Sequence, residues 1–278
     1  MISRTFQKEL DVLVPAVRDA SRLVLEVYST EFAVDLKDAG EPVTLADRRA
    51  NDLLCHRISE AFPHDGIVAE ESVPRDPDTF ARIVRNPRLW LIDPLDGTKE
   101  FIARNGEFAI MVGLAIGGRP VLGVVATPSN GDVWIGVPGE RTVRLSADGS
   151  LSECQVSQVA SLAQATVVVS RSHRSRSLLD RIERLDVAHS LACGSVGIKA
   201  SRIASKQADL YVYLHAPGGA KLWDGCAPEA LVLGAGGRVT TVSGEPIDYA
   251  SGQLELTGGL LASNGYLHPA LVQRLAQG

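Results

Sequence analysis

Over the first sixty residues the apolar positions recur with helical spacing. Phe6, Leu10, Leu13, Val14, Val17, Val24 and Val27 fall on one stripe. Pro15 inside that stripe predicts a kink, or a helix that starts near it. A turn at Asp38-Ala39-Gly40-Glu41-Pro42 leads to a second helix, with Thr44 as N-cap and Ala46, Ala50, Leu53, Leu54, Ile58 and Ala61 on the buried face, stopping before Pro63. From about Ile67 the texture changes to short β-rich runs, at 88–93, 109–116, 121–127 and 132–137. Gly117-Gly118 and Ser129-Asn130-Gly131 are good hairpin turns, so antiparallel pairing is expected. The polar stretch 138–157 is the expected boundary between an N-terminal α+β domain, 1–150, and a second domain, 151–278. In that second part, strands at 166–170, 208–214 and 238–242 interleave with helices at 175–185, 196–205 and 228–234, the pattern of an α/β domain. There is no internal repeat.

Composition narrows the possibilities. The chain has 278 residues, 45% of them hydrophobic, which is enough for a sizeable core, but only 5% are aromatic, so Leu, Val, Ile and Ala must do most of the packing. A formal charge of −5 gives no reason to expect nucleic acid or an anionic membrane as partner. Arg4, Lys8 and Glu9 interrupt the N-terminus, so no signal peptide is expected, and the longest apolar run, 109–118, is too short to span a bilayer. Four scattered cysteines without a CxxC pair read as free thiols in a reducing cytoplasm. Six scattered histidines without HExxH argue against zinc.

The chemistry lies in the acids. Asp47 sits on the second helix, Glu70-Glu71 follow a strand-like 66–69, Asp93 and Asp96 lie in Trp90-Leu91-Ile92-Asp93-Pro94-Leu95-Asp96-Gly97-Thr98, and Asp224 follows Trp223. In the third of these, a hydrophobic strand ends at Asp93, Pro94 cannot continue the ladder and Asp-Gly marks a tight turn. The two carboxylates and the Leu95 carbonyl between them can face one hard cation, and an oxygen-only set selects Mg²⁺ or Mn²⁺. A helix starting near Gly97-Thr98 would aim free N–H groups at the same spot, suiting a phosphate oxygen. Each feature also has a plainer reading. Asp47 completes a capping box with Thr44, Asp224 is a helix N-cap, Glu70-Glu71 is a solvated turn and the Asp93–Asp96 stretch is a strand-ending turn.

The coincidence of all four acids resembles the inositol monophosphatase superfamily over nearly the whole chain. The resemblance implies a layered α-β-α-β-α sandwich. It implies metal ligands at Glu70, Asp93, Asp96, Asp224 and the Leu95 carbonyl, with Asp47 and Thr98 as the pair that orients and deprotonates the attacking water. It implies a lithium-sensitive, magnesium-dependent phosphomonoesterase. Thr98-Lys99-Glu100-Phe101, Ser170-Arg171-Ser172-His173 and the run 222–230 look like 3'(2'),5'-bisphosphate nucleotidases, which remove the 3'-phosphate of adenosine 3',5'-bisphosphate, a by-product of sulfate activation. Val212-Tyr213-Leu214-His215 lacks the acid with which inositol phosphatases hold a ring hydroxyl. Matching the nucleotidase pattern makes Ser170, His173, Ser195 and Lys199 the expected nucleotide contacts, beside Gly97 and Thr98 at the reacting phosphate. Another sugar or polyol phosphatase, or a binding protein that kept the fold, are the alternatives. Oligomeric state stays open, a homodimer included.

Overall fold

A computed structural model describes residues 2–37, 42–172 and 176–277. In chain order the elements begin with α1 (Gln7–Tyr28), β1 (Val34–Leu36), β2 (Pro42–Thr44), α2 (Leu45–Ala61), β3 (Gly66–Ala69), α3 (Pro77–Val84), β4 (Arg88–Asp96) and α4 (Thr98–Ile102). A run of strands follows: β5 (Ala109–Ile116), β6 (Arg119–Thr127), β7 (Asp132–Val137), β8 (Arg141–Leu145) and β9 (Leu151–Cys154). The rest is β10 (Thr166–Ser170), α5 (Arg176–Arg184), β11 (His189–Cys193), α6 (Val196–Ala204), β12 (Leu210–Tyr213), α7 (Leu222–Gly234), β13 (Arg238–Thr240), β14 (Leu260–Ser263) and α8 (His268–Ala276).

Side-chain alternation along the strands builds five layers. A seven-stranded sheet in the order β3-β4-β5-β6-β7-β8-β9 is antiparallel except for β3 beside β4. One face, including Trp90, Ile92, Val112, Val124 and Ile135, packs on α1 and α2 through Leu13, Val17, Leu54 and Ile58. The other face meets α6 and α7, which lie between it and a five-stranded sheet ordered β11-β10-β12-β14-β13. On β10, Val168 points into this middle layer, while Val167 and Val169 point out to α5 and α8. This is the expected α-β-α-β-α sandwich. Among the described residues no helix is long and apolar enough to cross a membrane.

The departures from expectation have physical causes. Helix α1 runs unbroken through Pro15. Helix α7 starts at Leu222 rather than near Pro228, which sits inside it, so Asp224 lies in the first turn and not at the N-cap. The seven-stranded sheet continues through β8 and β9 to Cys154, and the hairpin turn at Gly149 falls where the two halves were expected to part.

What seats α7 is a row of glycines. Gly113, Gly123 and Gly136 are register partners across β5, β6 and β7, and together they cut a trough in the sheet face. A Cβ at Gly113 would lie 2.6 Å from Cys226 Sγ, at Gly123 2.5 Å from the Ala227 carbonyl, and at Gly136 2.5 Å from Leu231 Cα. Next along the row, Thr142 Oγ1 donates to the Leu231 carbonyl at 2.6 Å. The helix backbone therefore rides on the sheet backbone, and its N-terminal turn is held at a fixed height. Gly123→Ala should cost about 3 kcal/mol in chemical denaturation, because the obstruction is backbone and cannot rotate away. A loss under about 0.5 kcal/mol would mean that α7 stands off the sheet.

Candidate active site

The acids converge where β4 ends. Asp93 is buried in the strand, and the ladder with β5 shifts register between Asp93 and Asp96, which turns the chain out of the sheet. Leu95 donates its N–H to Asp93 Oδ1 at 3.0 Å, closing a tight loop. Gly97 takes φ +93, and a Cβ there would meet the Glu107 carbonyl at 2.9 Å, so the position requires glycine. Helix α4 then starts at Thr98. From the other half, Asp224 in the first turn of α7 accepts the Lys221 N–H at 2.6 Å. One carboxylate oxygen from each of Asp93, Asp96 and Asp224 lies within 4.8 Å of the others.

Glu70, in a 3-10 turn just after β3, joins this group through its charge, which raises both Asp93 and Asp224. Lys37 Nζ pairs with Glu70 Oε1 at 2.6 Å and Glu71 Oε1 at 2.5 Å. Burial alone would lower the Lys37 ammonium, but the two carboxylates raise it instead. Burial pushes Glu70 up to about 7 despite that pairing. Asp224 is pushed up to about 8 by burial and by the Asp96 charge. Asp93 is raised well above the carboxylate range by burial, then by Glu70, Asp96 and Asp224. Such an oxygen-only set, short of positive charge, fits a hard divalent cation.

Asp47 caps a helix with one carboxylate oxygen and reaches Thr98 with the other. Its Oδ2 accepts the Thr44 N–H at 2.8 Å and the Thr44 hydroxyl at 2.7 Å, completing the box at the start of α2. Its Oδ1 is left for the Thr98 hydroxyl at 3.1 Å, which also lies 3.2 Å from the Leu95 carbonyl. Burial raises the Asp47 carboxyl, and the bonds from Thr44 and Thr98 partly offset that. The cap thus fixes the oxygen that orients Thr98.

The expected nucleotide contacts fall in different surroundings. Ser195, the N-cap of α6, gives its hydroxyl to Asp96 Oδ2 at 2.5 Å, and Gly197 adds its N–H to the same oxygen at 3.1 Å. Ser195 therefore reaches the acidic cluster itself. Ser170 ends β10 beside Cys193. His173 lies outside the described residues. Lys199 is only 3% exposed. Its ammonium donates to the Gly194 carbonyl and stands 5.2 Å from the centre of the Tyr211 ring. Burial lowers it, against the pull of Asp96 and other nearby acids. Lys199, expected as a nucleotide contact, sits beneath the cluster as a counter-charge, on a helix covered by a sheet on each side. Lys37 and Glu107 escaped sequence reasoning. They reach the site by contacts spanning 33 and 87 residues, for which the sequence carries no local signal.

The raised carboxyls predict a pH signature for the metal-free protein. Between the ordinary carboxylate range and about pH 8 the folded state binds more protons than the unfolded chain, so stability falls as pH rises across that window. In EDTA the melting temperature of the wild type should drop, relative to Asp224→Asn, as pH is raised from about 5 to about 8. Parallel curves for the two proteins would show that the acids do not repel one another in the fold.

Comparison with known proteins agrees with this geometry. The model of the inositol monophosphatase family matches residues 6–277. The 3'(2'),5'-bisphosphate nucleotidase CysQ of Escherichia coli K12 is 32% identical over 259 residues, covering 91% of this chain and 99% of its own. Among solved structures, CysQ from Bacteroides thetaiotaomicron superposes with a TM-score of 0.77 at 25% identity, over 94% of this chain and 98% of its own. An inositol monophosphatase from Thermotoga maritima does so with a TM-score of 0.80 at 25% identity, over 97% of each chain. With the family's motif acids gathered at one point between two halves of the same fold, the chain belongs to the inositol monophosphatase family of phosphatases.

Proposed function

We propose that the protein is a Mg²⁺-dependent phosphomonoesterase that hydrolyses the 3'-phosphate of adenosine 3',5'-bisphosphate, giving AMP and phosphate, with Mn²⁺ as a substitute ion. The observation that carries the reading is the convergence of Asp93, Asp96 and Asp224 from both halves. The nucleotidase names of relatives that align over nearly their full length support the substrate class. So does the segment after β12, where Leu214 and His215 stand in place of an acid. The loop beyond it is pinned by Glu255, which accepts the Gly218 N–H and the Lys221 ammonium, each at 3.1 Å.

Glu70, Asp93, Asp96, Asp224 and the Leu95 carbonyl are the residues that would hold the ion. When bound, Mg²⁺ supplies Lewis acidity and positive charge for the phosphoryl group and the nucleophilic water. Thr98 Oγ1 orients that water and takes its proton, while the Thr98 proton passes to Asp47 Oδ1. Water oxygen then bonds to phosphorus as the bond to O3' breaks, and O3' takes up a proton from solvent to give the AMP hydroxyl. Gly97 and Ser195 border the reacting phosphate, and Ser170 and His173 belong to the nucleotide side. A cytoplasmic enzyme inhibited by Li⁺ is the accompanying expectation.

The test is a kinetic panel of adenosine 3',5'-bisphosphate, inositol 1-phosphate and fructose 1,6-bisphosphate, with and without EDTA. The nucleotide should have the highest kcat/KM, and chelation should abolish turnover. Asp224→Asn should lower kcat about a thousandfold. Thr98→Ala should lower kcat about a hundredfold with little change in KM, since water activation matters only on the way to the transition state. Preference for inositol 1-phosphate would refute the substrate, and full activity in EDTA would refute the metal.

A further inference from the structure

The site has a seam. Asp96 belongs to the N-terminal half, yet both donors to its Oδ2, the Ser195 hydroxyl and the Gly197 N–H, come from the turn that opens α6 in the other half. The plane of the Asp96 carboxylate therefore depends on where that turn stands relative to β4.

Glu107 lies two residues before Ala109, the register partner of Asp96 in β5. Its backbone is gripped between two glycines, one from each half. A Cβ on Gly97 would lie 2.9 Å from the Glu107 carbonyl oxygen, and a Cβ on Gly194 would lie 2.4 Å from the same atom. Its side chain then crosses the seam. Oε2 accepts the Gly194 N–H at 2.8 Å, and the carboxylate takes one edge of the Arg171 guanidinium, Nε at 2.7 Å and Nη2 at 2.8 Å. On the far side of Gly194 the carbonyl is held by buried Lys199. The peptide groups flanking Gly194 are thus fixed at an N–H and a C=O, immediately before Ser195. Arg171 also donates to the Ala192 carbonyl at 3.2 Å. Its charge is committed to the seam and is a poor candidate for gripping a phosphate.

We propose that Glu107 is a positioning residue for the cation site: through the Gly194 N–H it sets the Ser195 turn, and through that turn the orientation of Asp96. The inference rests on the metal reading given above, and it assigns the role to the carboxylate's bond with the Gly194 N–H. The ion pair with Arg171 is exposed on its arginine side and mainly ties the halves together.

Three variants separate these contributions: Glu107→Ala, Glu107→Gln and Arg171→Ala. The readouts are Mg²⁺ affinity by calorimetry and the melting temperature in EDTA. Glu107→Ala should weaken Mg²⁺ binding about tenfold, the scale of one lost hydrogen bond to a charged group. Glu107→Gln keeps an acceptor for the Gly194 N–H and should stay within about threefold of wild type. Arg171→Ala should lower the metal-free melting temperature but leave Mg²⁺ affinity within about threefold, because the Gly194 bond survives. Wild-type affinity in Glu107→Ala would overturn the proposal. So would a loss in Arg171→Ala or Glu107→Gln as large as that in Glu107→Ala, since the carboxylate would then serve only as half of an ion pair. Failure of the wild type itself to bind Mg²⁺ would overturn the metal reading, and this proposal with it, and is seen before any substitution is made.

Discussion

The architecture hangs on the contact between α7 and the trough made by Gly113, Gly123 and Gly136. Helix and sheet ordinarily meet through side chains, but at this seam they meet backbone to backbone, with Cys226, Ala227, Ala230 and Leu231 over three bare positions. That proximity has a purpose for the site. Asp224 lies two residues before Cys226, the first helix residue over the trough, so the height of the helix decides how far its carboxylate lies from Asp93 on β4. The five layers can vary elsewhere, but the middle helix has little freedom of height, because its other side packs on the second sheet through Trp223 and Val232.

The consequence is an electrostatic load. Four acids drawn from both halves face one another in half-buried or buried surroundings, and the chain supplies only partial compensation. Lys37 answers Glu70 and Glu71 from one side, and Lys199 answers Asp96 and Asp224 from beneath. Hydrogen bonds do the rest: Leu95 N–H to Asp93, Lys221 N–H to Asp224, and Ser195 and Gly197 to Asp96. These bonds fix the carboxylates in place without neutralising them, which is the state that a divalent cation completes.

Much of this was legible in the sequence, and what was not has a pattern. Periodicity revealed α1 and α2, each with one apolar stripe, and β-rich runs between turns carrying glycine or Asn-Gly revealed β4 to β7, although both faces of these strands are covered. The motif acids announced themselves through local chemistry, and Thr44 with Asp47 gave the capping box that the structure contains. What escaped was the start of a helix covered on both sides and the strands at the sheet's edge. Helix α7 is apolar around most of its circumference, so no stripe marked its start, and Pro228 was mistaken for that start when it is an interior residue. Strands β8 and β9 form the polar edge of the sheet, where arginines and serines obscure the alternation. The burial of Lys199 was illegible for the same reason as the start of α7: only the second sheet, remote in sequence, covers its short helix. Glu107 was illegible because its partners, Arg171 and Gly194, are 64 and 87 residues away.

The central claim is that carboxylates of the two halves form one cation site. It is tested most directly by a crystal structure grown with Mn²⁺, in which anomalous scattering locates the ion. The account predicts an ion bonded to oxygens of Asp93 and Asp96 and also to Asp224, with α7 seated in its trough. An ion held by Glu70 and Asp93 alone, with Asp224 turned away, or one bound at a different place, would contradict it.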